Sequence, residues 1–281
     1  MRGAPHTQAM KHIASATFGV LLVGLRLFGQ SAQTLIIPDV ADGGGWQSTI
    51  VLTNTSTNPA VATLNFHSDI GTTGATQPWS PSFLEVSSTT GMVLASGSTI
   101  YLHTPGTAAV LTQGWAELDS DVGIVAYAIF SNHQTTPYRD ATSPAVAASN
   151  RILVPYNDAN GFVTAIAVTN PTGASQAIQV GFRNDAGVLL TALPVVPALG
   201  HMTFVLSTQF PQIGGHLGLA EFYSATGNIS ILSLAFNPTQ SDASAPVYFQ
   251  SGPPLITAPP VTDTGGPGLM YHAPRPTGGV Q

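Results

Sequence analysis

Two glutamates stand in the same short sequence context in different parts of the chain. Glu117 lies in GWAEL (residues 114–118) and Glu221 lies in GLAEF (residues 218–222). A repeated carboxylate is a candidate catalytic or ligand-binding group, since positioned carboxylates carry out general acid and base chemistry. It is equally compatible with one strand position of a domain that the chain contains twice. The surrounding sequence decides between these two interpretations.

The sequence around both glutamates is duplicated. Three pairs of segments match in order: residues 36–71 with 153–187, which needs a single one-residue gap near the start, residues 97–102 with 200–206, and residues 122–132 with 229–237. Within them Pro38 corresponds to Pro155 and Asn54 to Asn170. Self-similarity over this length indicates a repeated structural unit. Each glutamate is therefore predicted to belong to a repeated strand.

Apolar residues alternate with polar ones inside each copy. In STIVLTN (residues 48–54), Ile50 and Leu52 lie on one face and Val51 on the other. Turn-forming stretches such as NTSTNP and NPTGAS end these runs, and strands recur about every 8–12 residues. This spacing is typical of a sandwich. The sequence predicts an all-β protein of two tandem antiparallel immunoglobulin-like β-sandwiches, residues 34–147 and 148–250.

The two ends of the chain differ from this pattern. Arg2 and Lys11 precede an apolar run at residues 13–25 and a stretch of small residues, the order of a secretory signal peptide, predicted here as residues 1–33. The run is short for a membrane span, so no transmembrane segment is expected after its removal. Residues 251–281 are rich in proline and glycine and are predicted to be a disordered tail.

Charge and cysteine content exclude several functions. The chain of 281 residues carries 7 Lys and Arg, 13 Asp and Glu, and no cysteine. Nucleic-acid binding needs clustered basic residues, and thiol redox chemistry or a cysteine zinc site needs cysteine. Asp119 and Asp121 are too few for a usual calcium loop, and the histidines lack metal-binding spacing. We expect no cofactor, no metal and no catalytic set.

One segment resembles known proteins. PDVADGGGW (residues 38–46) followed by TIVLTNT (residues 49–55) resembles uncharacterised secreted bacterial proteins that contain tandem immunoglobulin-like β-sandwich repeats. The resemblance extends over most of residues 34–248, although the second copy has DANGF in place of ADGGGW. It implies an exported β-repeat protein, and it brings no activity and no catalytic residues with it.

The two copies differ most in residues 72–88, which make the first copy a dozen residues longer. This Ser-, Thr- and Pro-rich segment is predicted to be a surface loop, and such loops often carry function. It contains Trp79, which has no counterpart in the second copy, and Phe83. Strand alternation places Trp115 and Glu117 together on one face. These four residues are the candidate partner contacts.

The sequence therefore favours an exported, non-enzymatic structural or binding protein at the cell surface or outside the cell. It would contact a protein or a polysaccharide through loops of the first copy. One alternative is a secreted hydrolase whose carboxylates meet at a cleft between the copies, with Glu117, Glu221, Asp119 and Asp121 as candidates. Another is a self-assembling surface-layer component, since few charges keep the chains apart.

Overall fold

Two antiparallel β-sandwiches follow one another along the chain in the computed structural model, which describes residues 32–134, 138–239 and 242–257. Each consists of two packed sheets whose alternating apolar side chains face each other. The predicted all-β fold of two tandem sandwiches is confirmed. The predicted signal peptide lies outside the described residues apart from its last positions, and Gln33 already belongs to the first strand.

The described part of the first repeat contains nine strands. They are β1 (Gln33–Asp42), β2 (Trp46–Asn54), β3 (Ala60–Ile70), β4 (Ala75–Trp79), β5 (Met92–Leu94), β6 (Thr99–His103), β7 (Thr112–Ser120), β8 (Ile124–Asn132) and β9 (Arg139–Pro144). One sheet has the order β1-β7-β3-β4, with β5 also paired to β3. The other has the order β6-β2-β8-β9.

The described part of the second repeat has the same plan. Its strands are β10 (Arg151–Asn157), β11 (Val163–Thr169), β12 (Ile178–Asn184), β13 (Gly187–Ala192), β14 (His201–Val205), β15 (Leu217–Ser224), β16 (Ser230–Phe236), β17 (Asp242–Ala245) and β18 (Tyr248–Gln250). The sheets have the orders β13-β12-β15-β10-β18 and β14-β11-β16-β17. A short helix, α1 (Leu206–Gln209), follows β14. No helix in the described ranges is long and apolar enough to cross a membrane.

A buried asparagine repeats in both sandwiches with the same hydrogen bonds. The Asn54 side-chain amide donates to the carbonyl oxygens of Asn58, Leu94 and Ala95 at 2.7–3.1 Å. Asn170 in the second repeat likewise donates to three carbonyl oxygens, at 2.6–3.3 Å. Each ties the end of its strand to two loops and satisfies buried backbone acceptors. The two copies are therefore equivalent in side-chain detail as well as in topology.

The segment that lengthens the first repeat is partly a strand. Trp79 is the last residue of β4 and pairs with Phe66 of β3, as Leu189 pairs with Phe182 in the second repeat. The prediction of a loop without a counterpart for Trp79 is corrected here: Leu189 holds the equivalent position. Pro78 suggested a loop, but β4 is an edge strand, where proline is tolerated.

The start of the C-terminal tail is also corrected. Residues 251–257 lie on the outer face of the second repeat, where Ile256 is buried. The buried Glu221 carboxylate accepts the backbone N–H groups of Leu255 and Ile256, both at 2.6 Å. Gly181 leaves room for this segment, since a Cβ there would lie 2.8 Å from the Ile256 Cβ. The remainder of the predicted tail, residues 258–281, lies outside the described residues.

We expect Glu221→Ala to destabilise the second repeat by roughly 3–5 kcal/mol, because two buried N–H groups lose a charged acceptor. Urea denaturation measures the loss, and limited proteolysis should then cut after residue 250. Glu117→Ala is the matched control at the equivalent position of the first repeat. Equal effects of the two substitutions would contradict the assignment of Glu221 as the group that holds the tail.

Candidate functional site

A groove opens where one edge of the first sandwich is divided between two strands. β5 pairs with the beginning of β3 (residues 60–62), and β4 pairs with its end (residues 66–70). Residues 80–91 leave the sheet between these two pairings and return to it. The space that they enclose with β3 and β7 has a volume of about 840 Å³ and is open to solvent.

The segment that forms one wall of the groove is anchored to the opposite sheet. The Leu84 N–H donates to the carbonyl oxygen of His103 on β6 at 2.9 Å. The Glu85 carboxylate accepts the His103 backbone N–H at 2.8 Å and lies 2.6 Å from its ring Nδ1. The backbone hydrogen bond from His103 is the main cause of a lowered pKa for Glu85. The wall is therefore fixed across the edge of the sandwich.

Three of the four predicted contact residues line this groove. Trp79 and Phe83 are half-buried and pack on the ring of Phe66, with ring centroids 5.9 and 5.7 Å away. Their remaining surface faces the groove, as does the half-buried Glu117. The structure thus brings together an aromatic pair from the lengthened segment and a carboxylate from β7, residues that are more than thirty positions apart in sequence.

Trp115 does not belong with them as a surface contact. Its side chain is fully buried beneath the second repeat, stacked on His67 with ring centroids 4.4 Å apart. The indole N–H donates to the carbonyl oxygen of Leu199 at 2.9 Å. The predicted role of Trp115 as an exposed contact is corrected: alternation identifies its face of the strand, and the second repeat covers that face.

The rest of the groove lining is polar and carries little charge. Six of the lining residues carry hydroxyl groups, namely Ser80, Ser82, Ser87, Ser88, Thr89 and Thr90. Asn65 and His67 of β3 line it as well, and neither lysine nor arginine is present among the described lining residues. Sequence reasoning missed Asn65 and His67. The signal for them was available, because Asn65 stands opposite Glu117 in the β3 to β7 register.

The two titratable groups of the groove floor are shifted toward their neutral forms. Burial raises the pKa of Glu117, and the neighbouring charge of Asp119, which also shares a hydrogen bond with Glu117, raises it further. Burial lowers the pKa of His67. A histidine with a lowered pKa is neutral at pH 7. Burial is the main cause of both shifts.

A buried histidine holds the second repeat against the groove. His201, at the start of β14, is fully buried, and its Nδ1 lies 2.9 Å from the Asp69 carboxylate of β3. Its backbone N–H donates to the carbonyl oxygen of Gly74 at 3.0 Å. Leu199 stands two residues before His201, has a positive φ of 55° and lines the groove. This joint therefore places part of the second repeat in the groove wall.

The joint contains a second carboxylate, Asp39. Burial by itself lowers the pKa of His201, but the hydrogen bond to Asp69 and the charges of Asp39 and Asp69 outweigh it, and the pKa is raised. Burial raises the pKa of Asp39. Gln113 donates a hydrogen bond to Asp39 at 3.0 Å. The sequence contained no signal for this cluster, since its members come from different repeats.

The carboxylates proposed for a hydrolase are not arranged as one. Glu221 is buried under the chain's own residues 255 and 256, so it does not face a cleft. Asp121 accepts the backbone N–H of Val61 at 2.7 Å. Glu117 and Asp119 lie on the same face of β7, and Asp119 accepts a hydrogen bond from the Thr34 hydroxyl at 2.6 Å. No group of three or more metal-ligating side chains occurs in the described ranges.

Comparison with known proteins assigns no family. No protein-family profile matches the chain, and no curated protein matches it in sequence. Among solved structures, the chain is similar to a partial N-terminal region of an enterococcal surface protein, at 6% identity and a TM-score of 0.22. The match covers 79% of this chain and 94% of that one. So weak a structural similarity does not bear on function.

The joint between the repeats should weaken as the pH rises. A raised pKa means that folded His201 binds its proton more tightly than the unfolded chain does. The contribution of His201 to the free energy of unfolding has its full value below about pH 6.5, the ordinary histidine pKa. It is lost as the pH rises through the raised pKa. Asp39 acts in the same direction because its pKa is also raised. Urea denaturation of the wild type should show falling stability from pH 6 toward pH 9.

His201→Asn should remove most of this slope and lower the stability at pH 6, because Asp39 and Asp69 lose their buried partner. His103→Asn, at an exposed contact with Glu85, is the control and should retain the slope. An unchanged slope in His201→Asn would show that the pH dependence arises elsewhere.

Proposed function

We propose that this protein is an exported, non-enzymatic binding protein that acts at the cell surface or outside the cell. Its binding site is the groove of the first repeat, and its ligand is a neutral polysaccharide chain. The observation that carries the proposal is the convergence of Trp79, Phe83 and Glu117 in one open groove with a hydroxyl-rich lining. Export rests on the sequence of residues 1–33.

The chemistry of the lining supports a sugar polymer as the ligand. Aromatic rings offer apolar faces on which a sugar ring can stack. Serine and threonine hydroxyls, the Asn65 amide and the Glu117 carboxyl group can each exchange hydrogen bonds with sugar hydroxyls. Among the described lining residues there is no lysine or arginine to hold an anionic polymer, so a neutral polysaccharide fits better than an acidic one. A protein ligand is the other candidate, favoured by the same aromatic pair.

The proposal of a binding role without catalysis rests on the positions of the acidic groups. Burial and the neighbouring Asp119 raise the pKa of Glu117, and Asp119 itself accepts hydrogen bonds from the side chains of Thr34 and Asn65. His67 is stacked on Trp115, which belongs to the joint between the repeats. Both arrangements favour a fixed binding surface over a reaction centre.

The test is a pull-down of the purified full chain with insoluble neutral polysaccharides, such as cellulose, and with the producing cell's own envelope. We expect the wild type to be retained. Trp79→Ala should weaken binding roughly tenfold or more, since loss of a central aromatic anchor costs about 1–2 kcal/mol or more. Glu117→Gln should weaken it less, because a neutral amide replaces a carboxyl group that is already shifted toward neutrality.

Tyr248→Ala is the control, because Tyr248 is an exposed aromatic residue of the second repeat and lies outside the groove. Thermal melting verifies that each variant is folded. Equal retention of Trp79→Ala and the wild type would remove the groove from the proposal. Retention by the envelope that protease treatment of the envelope abolishes would replace the polysaccharide with a protein ligand.

A further inference from the structure

The equivalence of the two repeats allows their surfaces to be compared position by position. Val51 of β2 stands three residues before the buried Asn54, and Ala167 of β11 stands three residues before the buried Asn170. Both strands are the second of four in their sheets. The outer faces around Val51 and Ala167 are therefore the same face of the repeated fold.

In the second repeat one side of this face is buried against the first repeat, while Thr203 on its other side is exposed. Ala167 lies between Thr203 of β14 and Leu232 of β16 in the sheet register. Ala167 and Leu232 are almost completely buried, and they pack on Phe130 and Ala141 of the first repeat. The face thus serves as the contact through which one repeat sits on the end of the preceding one.

In the first repeat the same face is exposed and more apolar. Val51 lies between Tyr101 of β6 and Tyr127 of β8. The side chains of Tyr101 and Tyr127 are 53% and 38% exposed, and the neighbouring Val125 is 56% exposed. Tyr101 and Tyr127 correspond to Thr203 and Leu232 of the second repeat. We name Tyr101, Tyr127 and Val125 the tyrosine face.

The other surface of this contact also has an exposed equivalent, which lies in the second repeat. The end of the first repeat that receives the second one contains Trp46, Phe130 and Gln113. The strand register places Phe162, Ala235 and Leu217 at the equivalent positions of the second repeat. Phe162 is 39% exposed and Leu217 is 59% exposed. We name Phe162 and Leu217 the receiving end.

The sizes of the exposed side chains are complementary. Compared with the equivalent surface of the second repeat, the tyrosine face has larger side chains, because Tyr101 and Tyr127 stand in place of Thr203 and Leu232. Compared with the equivalent end of the first repeat, the receiving end has smaller aromatic and apolar side chains, because Phe162 stands in place of Trp46 and Ala235 in place of Phe130. Close packing requires that added volume on one side be matched by space on the other. At the packed position the changes are opposite, since Tyr127 replaces Leu232 on the face and Ala235 replaces Phe130 on the end.

We propose that a second copy of this chain docks its tyrosine face on the receiving end of the first, so that the contact between repeats continues from chain to chain. The contact joins two different surfaces, so each added chain leaves one of each free, and the assembly grows as an open filament unless it closes into a ring. With only 20 charged side chains in 281 residues, little electrostatic repulsion opposes the association.

The test is sedimentation velocity of the full chain over a wide range of concentrations. We expect the wild type to form species larger than a dimer as the concentration rises. The double variant Tyr101→Asp/Tyr127→Asp and the double variant Phe162→Asp/Leu217→Asp should each remain monomeric, since each retains only one of the two surfaces. An equimolar mixture of the two should form dimers and nothing larger, because one intact face meets one intact end.

Leu84→Asp/Val93→Asp is the matched control, since it adds the same charge at exposed apolar positions outside both surfaces and should associate like the wild type. A milder double variant, Tyr101→Thr/Tyr127→Leu, carries the residues of the second repeat and tests the face if the aspartate variant does not fold. It should shift association to higher concentrations.

A wild type that stays monomeric, association that survives both aspartate variants, or a mixture without dimers would each overturn the proposal. A monomeric wild type whose tyrosine face is protected from solvent would indicate that the chain's own residues 1–31 or 258–281 cover it.

Discussion

The burial of His201 against Asp69 is the contact on which the arrangement of the two repeats depends. A buried imidazole needs a hydrogen-bonding partner, and His201 obtains the Asp69 carboxylate because the second repeat sits on the β3 to β4 hairpin. That position brings the Leu199 carbonyl oxygen to the indole of Trp115 and to the hydroxyl of Thr76. Leu199 then forms part of the groove wall. The groove of the first repeat is therefore completed by the second repeat.

Much of the fold could be predicted because strand periodicity and duplication are local properties of the sequence. Alternation in residues such as Ile50 and Leu52 identifies the inner face of a strand, and the repeated turn at Asn54 identifies where it ends. The difference in length between the copies singled out Trp79 and Phe83, and strand alternation singled out Glu117, but their convergence in one groove was not predicted. Their contact with a ligand stays a prediction.

What could not be predicted was the element that covers each outer face. Alternation placed Trp115 and Glu117 on the same side of β7, yet the second repeat buries Trp115 and leaves Glu117 in the groove. Glu221 accepts hydrogen bonds from backbone N–H groups 34 and 35 residues further along the chain, in a segment whose composition suggested disorder, and its carboxylate lies 4.0 Å from the Arg151 Nε. Such long-range partners leave no periodic signal.

Glu117 and Glu221 occupy equivalent positions of the two repeats but have different surroundings. Beside Glu221 stands Gly181, whose missing side chain lets Ile256 approach the sheet, so the carboxylate binds the chain itself. Beside Glu117 stands Asn65, whose amide occupies that space and lies 3.4 Å from the carboxylate of Asp119. An apolar segment cannot close over a face built in this way without burying polar groups. The same carboxylate position is therefore covered by the chain in the second repeat, while in the first repeat Glu117 is half-buried and lines the open groove.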